Sequence, residues 1–191
     1  MEGEFREGEF WVFAYGSLMW RPGFRPAETV PALIYGYHRA LCIRSTRYRG
    51  TRETPGLVLG LERGGCCRGL ALRAAAGREA AVRRALDARE LLGPVHVYDS
   101  RFCRARLADG RRVTVYTYVV RRGQESHAYG LGVEETVAMV RQGVGERGTA
   151  RDYLANTVAR LAALGQPDRA LERLLRRVDQ AAETAGRARA R

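Results

Sequence analysis

The apolar residues of this chain change their periodicity about two thirds of the way along, and that change limits the fold more than any other feature. Early on they fall in short runs broken by Gly and Pro, as strands do. In the last third they recur every three to four positions, as amphipathic helices require. Phe10–Tyr15 is a short apolar run that stops at Gly16-Ser17, and Pro22, Pro26 and Pro31 make the next stretch a loop. Ala32–Thr46 is rich in β-branched and aromatic residues and is expected to bend near Gly36. Leu57–Leu61 and Arg68–Leu72 flank Gly64-Gly65, which predicts a hairpin. Val113–Val120 alternates, with Val113, Val115, Thr117 and Val119 on one face and Thr114, Tyr116 and Tyr118 on the other.

One helix interrupts the strands. Gly77–Glu90 puts Ala81, Val82, Ala85 and Leu86 on one stripe, and Gly93-Pro94 should end it. The last third predicts helices over Val133–Val144, Thr149–Leu164 and Asp168–Ala185. No internal repeat is present. The pattern predicts an α+β protein: a sheet or small barrel with one inserted helix and a helical C-terminal part. Residues 1–9 read as an extension, 10–185 as one domain and 186–191 as a basic tail.

Charge removes several chemistries. All 33 basic side chains are arginine, against 21 acidic ones, a formal net charge of +12. Without lysine there is no Schiff-base lysine, no lysine general base and no phosphate-loop lysine. Five arginines and no acid lie in 39–52, and seven arginines against one aspartate in 101–122. Such a field draws anions. The arginines lack the aromatic interleaving or motif of a nucleic-acid binder, so a solvated face is preferred, with an acidic small substrate kept open. No nucleic acid and no membrane are expected as partners. The start is acidic, without a basic n-region, and no apolar run approaches the length of a span. Cys42, Cys66, Cys67 and Cys103 show no CxxC spacing, and His38, His96 and His127 lie far apart. The expectation is a cytoplasmic protein with buried free thiols and no metal.

Two places look capable of chemistry. At Tyr15-Gly16-Ser17-Leu18 a strand stops on Gly-Ser, which turns successive N–H groups outward. Such a nest holds a carboxylate or phosphate, with the Ser17 hydroxyl as a further donor. On these four residues alone an ordinary turn explains as much. Glu90 continues the Val82/Leu86 stripe at i, i+4, i+8, away from the arginine face, at the C-terminal end of its helix. Partial burial and the helix dipole both favour its neutral form, which suits a group that accepts and returns a proton. Pairing with Arg89 or another arginine at a frayed helix end fits the spacing equally. No GxSxG and no serine beside a histidine is present. Among the phenols Tyr15, Tyr48, Tyr98, Tyr129 and Tyr153, the last is best placed to be half-buried, beside Leu154, Val158 and Leu161.

Together these residues resemble the ChaC-type γ-glutamylcyclotransferases. The resemblance begins at Trp11-Val12-Phe13-Ala14-Tyr15-Gly16-Ser17-Leu18-Met19-Trp20-Arg21-Pro22-Gly23-Phe24. It continues through Gly36-Tyr37-His38-Arg39, Ser45-Thr46, Arg49-Gly50 and Pro55-Gly56-Leu57-Val58. Leu86-Asp87-Ala88-Arg89-Glu90 is similar to the family's L-x-x-R-E, whose glutamate is catalytic, and Ala128-Tyr129 and Asp152-Tyr153-Leu154 are similar to later signatures. The resemblance implies a γ-glutamylcyclotransferase-like mixed β-barrel and cofactor-free cleavage of a γ-glutamyl peptide, glutathione in the characterised members. The products are 5-oxoproline and cysteinylglycine. It further implies Glu90 as general base and acid, the nest at Tyr15, Gly16, Ser17 and Leu18 on the γ-glutamyl head, and Tyr153 as a substrate hydrogen-bonding group. The chain departs from the family pattern at Leu91-Leu92-Gly93-Pro94, at Tyr48 and at Ala150. These departures leave contacts to the leaving half of the substrate unassigned. Other readings are a non-catalytic γ-glutamyl or anion-binding module, or a cyclotransferase for γ-glutamylamines.

Overall fold

Five strands close into a barrel in the order β1-β3-β2-β4-β5 in the computed structural model, which describes residues 9–91 and 97–189. β1 is Trp11–Ala14, β2 Glu28–Ser45, β3 Gly56–Arg73, β4 Tyr98–Leu107 and β5 Arg112–Val120. β1 runs antiparallel to β3, with Trp11 opposite Arg73, and parallel to β5, with Trp11 opposite Val115. That parallel step makes the barrel mixed. The inserted helix α1, Glu79–Glu90, follows β3. Helices α2 (Val133–Gln142), α3 (Ala150–Ala163) and α4 (Arg169–Arg189) come last. The expected α+β class with a barrel, one inserted helix and a helical end is what the chain forms.

Contacts group the described residues into two compact units. The first takes those up to Ala40 and Gly60–Gln124; the second takes Leu41–Leu59 and those from Glu125 on. In the first, Phe10, Val12, Phe13, Ile34, Leu70 and Val115 are fully or almost fully buried, with Val115 on one face of β5. On the other face of β5, Tyr116 and Tyr118 are buried under α1, to whose Asp87 both phenols donate. Alternation along β5 therefore serves two cores, one on each side of the strand.

The second unit rests on α2, α3 and α4 packed together, with Val140, Leu154, Leu161 and Val178 in its core. Its backbones approach as closely as glycine permits. A Cβ on Gly143 would fall 2.4 Å from the Arg49 carbonyl oxygen and 2.4 Å from Gly56 Cα. Helix starts follow the sequence: Thr149 accepts from the Asp152 N–H at 2.9 Å, and Asp168 accepts from Ala170 and Leu171 at 3.1 and 3.2 Å.

Three expectations need correcting. Gly64-Gly65 does not turn a hairpin; β3 runs through it as one strand of 18 residues. Both glycines take positive φ, +98° and +71°, but the segments on either side pair with other strands instead of each other. The glycines bend one long strand. β4 was not expected. Its outward Phe102, Arg104 and Arg106 alternate with Cys103, Ala105 and Leu107, so basic side chains hide a strand whose inner face is small and apolar. α4 continues to Arg189, past the expected end at Ala185. The predicted stop at Gly93-Pro94, and His96, lie outside the described residues.

Candidate active site

β1 is buried at every residue and is hydrogen-bonded along both edges. Immediately after it Tyr15, 7% exposed, donates its phenol to the Tyr118 carbonyl at 3.0 Å. The Tyr15 carbonyl in turn accepts from Arg39 Nε at 2.7 Å, and Arg39 Nη2 reaches the Arg68 carbonyl at 2.6 Å. Both flanks of the strand end are thus fixed. Gly16 then opens a single 3-10 turn, Ser17–Met19, closed by Met19 N–H to the Gly16 carbonyl at 2.9 Å. Leu18 and Met19 are buried and anchor the turn. The first N–H groups of any such turn have no acceptor within it.

Glu90 is the last residue of α1, and Val82 and Leu86 of the same stripe are the helix's buried residues. Its side chain is 19% exposed, as is that of Arg89. One guanidinium links the two predicted features. Arg89 Nη2 donates to Ser17 Oγ at 2.8 Å, Nη1 to the Arg21 carbonyl at 2.6 Å, and Nε stands 2.9 Å from Glu90 Oε1. Both sequence readings of Glu90 describe part of this arrangement: it lies on the apolar stripe, and it pairs with Arg89.

Beneath this pair lies a cluster that sequence reasoning missed. Asp87 Oδ1 accepts from Tyr116 at 2.6 Å and from Tyr118 at 2.8 Å, and Arg83 Nε stands 3.7 Å from Asp87 Oδ2. Burial, then the Asp87 hydrogen bond and its charge, push the Tyr118 phenol far above the ordinary phenol range, with smaller effects from Tyr116 and Glu90. Burial and Asp87 likewise raise Tyr116. Both phenols therefore remain protonated donors. Asp87 lies one turn before Glu90 on the same helix, a signal that spacing does hold.

Tyr153 belongs to the second unit, on α3, 6% exposed. Its phenol oxygen accepts from the Leu59 N–H at 3.3 Å, and the Arg49 guanidinium lies 5.5 Å from its ring centre. The structure thus brings Tyr15, Gly16, Ser17 and Leu18 to Glu90 through Arg89, and places Tyr153 among residues of its own unit. His38 Nδ1 lies 3.0 Å from the Gly64 carbonyl, and His127 stacks on Tyr129. Of the cysteines, Cys42 and Cys67 are buried as expected, Cys103 is half-buried, and Cys66 is exposed, on the outer side of β3 at its bend. Among the described residues no helix is long and apolar enough to cross a membrane, and no cluster of three or more His, Cys, Asp or Glu is placed to hold a metal ion.

The model of the ChaC-like protein family matches residues 10–181. The chain is 31% identical over 169 residues to a glutathione-specific γ-glutamylcyclotransferase of Escherichia coli, covering 88% of this chain and 72% of that one. It is 33% identical over 168 residues to γ-glutamylcyclotransferase 2-3 of Arabidopsis thaliana, covering 83% of each. A solved structure of a glutathione-specific γ-glutamylcyclotransferase from yeast superposes with a TM-score of 0.80 at 21% identity, over 90% of this chain and 96% of that one. This last likeness concerns the fold.

Proposed function

The chain belongs to the ChaC-like family, and we propose on that footing that it is a γ-glutamylcyclotransferase, a lyase that splits glutathione into 5-oxoproline and cysteinylglycine. The observation that carries the residue-level reading is the Arg89 guanidinium, bonded at once to the Ser17 hydroxyl and to the Glu90 carboxylate. It joins a turn suited to an anion with a carboxylate suited to a proton.

The reaction exchanges one amide for another within the substrate. The α-amino nitrogen attacks the γ-carbonyl carbon, the ring closes, and the bond from that carbon to the cysteinyl nitrogen breaks. Nothing is oxidised or reduced. Because nucleophile and electrophile belong to one molecule, the protein has to fold the glutamyl chain and move protons. Over the cycle the attacking nitrogen loses two protons and the departing nitrogen gains two. A single carboxylate that takes protons on one side and returns them on the other performs that relay, and we assign it to Glu90.

The α-carboxylate of the substrate is assigned to the N–H groups and hydroxyl of Gly16, Ser17 and Leu18, with the Tyr15 backbone holding the turn in place. Two carboxylates would then lie near one another, and Arg89 supplies the positive charge that keeps their repulsion tolerable. Asp87, locked by two phenols that do not ionise, fixes the helix end from the other side. Tyr153 keeps the substrate hydrogen-bonding role that the sequence resemblance gives it, and Tyr153→Phe is its test. The free thiols fit a reducing, cytoplasmic setting, which belongs to the same proposal.

Purified protein incubated with glutathione should release 5-oxoproline and cysteinylglycine in equal amounts. Absence of both from glutathione and from a panel of γ-glutamyl peptides and amines would overturn the assignment of an activity. Product from a γ-glutamylamine alone would move the substrate and keep the chemistry.

A further inference from the structure

The arginine-rich stretch from residue 101 to 122 plays no part in the proposed reaction, and the structure sorts its charges into two kinds. Arg101 pairs with Asp99, Arg122 with Glu62, and Arg111 with both Asp109 and Glu28. Arg104, Arg106 and Arg112 have no acidic partner among the described residues, and all three are exposed. They face one depression of about 420 Å³ on the outer wall of the barrel, lined also by Tyr35 and Thr114.

The strand register explains how they converge. On β4, Arg104 and Arg106 are two apart and so share the outward face. On β5 their direct partners are Thr114 and Arg112. The same face of β5 carries Tyr116 and Tyr118 under α1 further along, and the Thr114–Arg112 end is left bare. From β2, Tyr35 brings an aromatic ring that is 59% exposed. Arg106 directly opposite Arg112 is a like-charge cross-strand pair, an arrangement that costs stability in an empty sheet. An anion between them removes that cost.

We propose that this depression binds a nucleoside polyphosphate, its phosphates among Arg104, Arg106 and Arg112 and its base stacked on Tyr35. Guanidinium groups suit phosphate oxygens through paired N–H donors, and an exposed tyrosine suits the π-face of a base. The volume lies in the range of small-molecule sites. Charge distribution favours a compact ligand over a nucleic-acid strand. A strand needs a continuous basic track, and here the arginines flanking the depression are neutralised by Asp99, Asp109 and Glu28.

Calorimetric titration of the full chain with ATP, inorganic tripolyphosphate, adenosine and a single-stranded oligothymidylate tests the inference. The expected result is saturable binding of one ATP per chain, with tripolyphosphate weaker by about tenfold for want of stacking and adenosine weaker still. Arg106→Ala/Arg112→Ala should reduce ATP affinity by about tenfold or more, and Tyr35→Ala should bring ATP to the level of tripolyphosphate. Melting curves in the absence of ligand keep the test open to failure: the double arginine variant should melt no lower than the wild type, because it relieves a repulsion. Absence of saturable ATP binding, unchanged ATP affinity in that folded variant, or an oligothymidylate that binds more tightly than ATP with a stoichiometry set by its length would each overturn the proposal.

Discussion

Replacing Arg89 by methionine keeps the length and apolar stem of the side chain and removes its charge and all its donors. Three contacts go at once: Ser17 Oγ at 2.8 Å, the Arg21 carbonyl at 2.6 Å and Glu90 Oε1 at 2.9 Å. Hydrogen bonds with a charged partner contribute about 1.5–3 kcal/mol each when buried, but Arg89 keeps some solvent contact, and a loss of about 2 kcal/mol in stability is expected. The effect on the reaction is separate. A substrate carboxylate at the Ser17 turn would lie within about 4–6 Å of the guanidinium, an attraction of about 3–4 kcal/mol at an effective dielectric of 20, before water reduces it. Allowing for that, KM for glutathione should rise by about ten- to hundredfold. kcat should fall by a smaller factor, because Glu90 loses the partner that orients it. Arg89→Lys restores the charge without the three-way fork and should recover part of KM only. Initial rates over a range of glutathione concentrations, well below the melting temperature, give both constants. A folded Arg89→Met protein with KM and kcat within twofold of wild type would refute the view that this guanidinium couples the turn to the glutamate.

Other consequences are open to direct measurement. The raised Tyr118 phenol binds its proton in the folded chain where an unfolded tyrosine has released it, so its stabilising effect is whole below about pH 10 and drains as pH rises above that. Tyr118→Phe should therefore be less stable than wild type near neutrality by about 1–2 kcal/mol, with the gap narrowing above about pH 10; melting curves that stay parallel from neutral to alkaline pH would contradict this. Gly143→Ala places a Cβ 2.4 Å from two backbone atoms of other segments and should cost about 3 kcal/mol or more in urea denaturation; a loss under about 0.5 kcal/mol would show that those segments yield. Glu62 is 1% exposed and accepts two hydrogen bonds from Arg122 at 2.9 and 2.8 Å. Arg122→Ala should destabilise by about 2 kcal/mol, less than for a fully buried pair because the arginine is half in water; an unchanged urea midpoint would mean that the other partners of Glu62 suffice.

What could be read in advance follows from the range of each signal. The helix from Gly77 to Glu90 and the starts at Thr149 and Asp168 are set by neighbours a few residues apart, and they stand within two residues of the expected positions. The run at Phe10–Tyr15 and its stop at Gly16 were legible for the same reason. Gly64-Gly65 misled because a glycine pair is compatible with a turn and with a bent strand, and only distant pairing partners decide between them. β4 was hidden by its outward arginines, since its inner Cys103, Ala105 and Leu107 form too weak an apolar pattern by themselves.

The same limit applies to the site. Ser17 and Glu90 were each visible as single candidates, with Arg89 read only as a local partner of Glu90. That Arg89 also reaches Ser17, 72 positions back, is a property of the barrel. The Asp87 contacts to Tyr116 and Tyr118 are of the same kind, spanning 29 and 31 positions. Tyr116 and Tyr118 were recognised as one face of a strand, but nothing local indicated that a helix covers that face.

The assignment of proton transfer to Glu90 is tested most directly by comparing Glu90→Gln with wild type in the release of 5-oxoproline from glutathione. The amide keeps the shape and a hydrogen-bond acceptor for Arg89 but cannot relay a proton. kcat should fall by about 10²–10⁴-fold while glutathione still binds with near wild-type affinity. Equal 5-oxoproline release by the two proteins would contradict the account, placing the proton relay on another group.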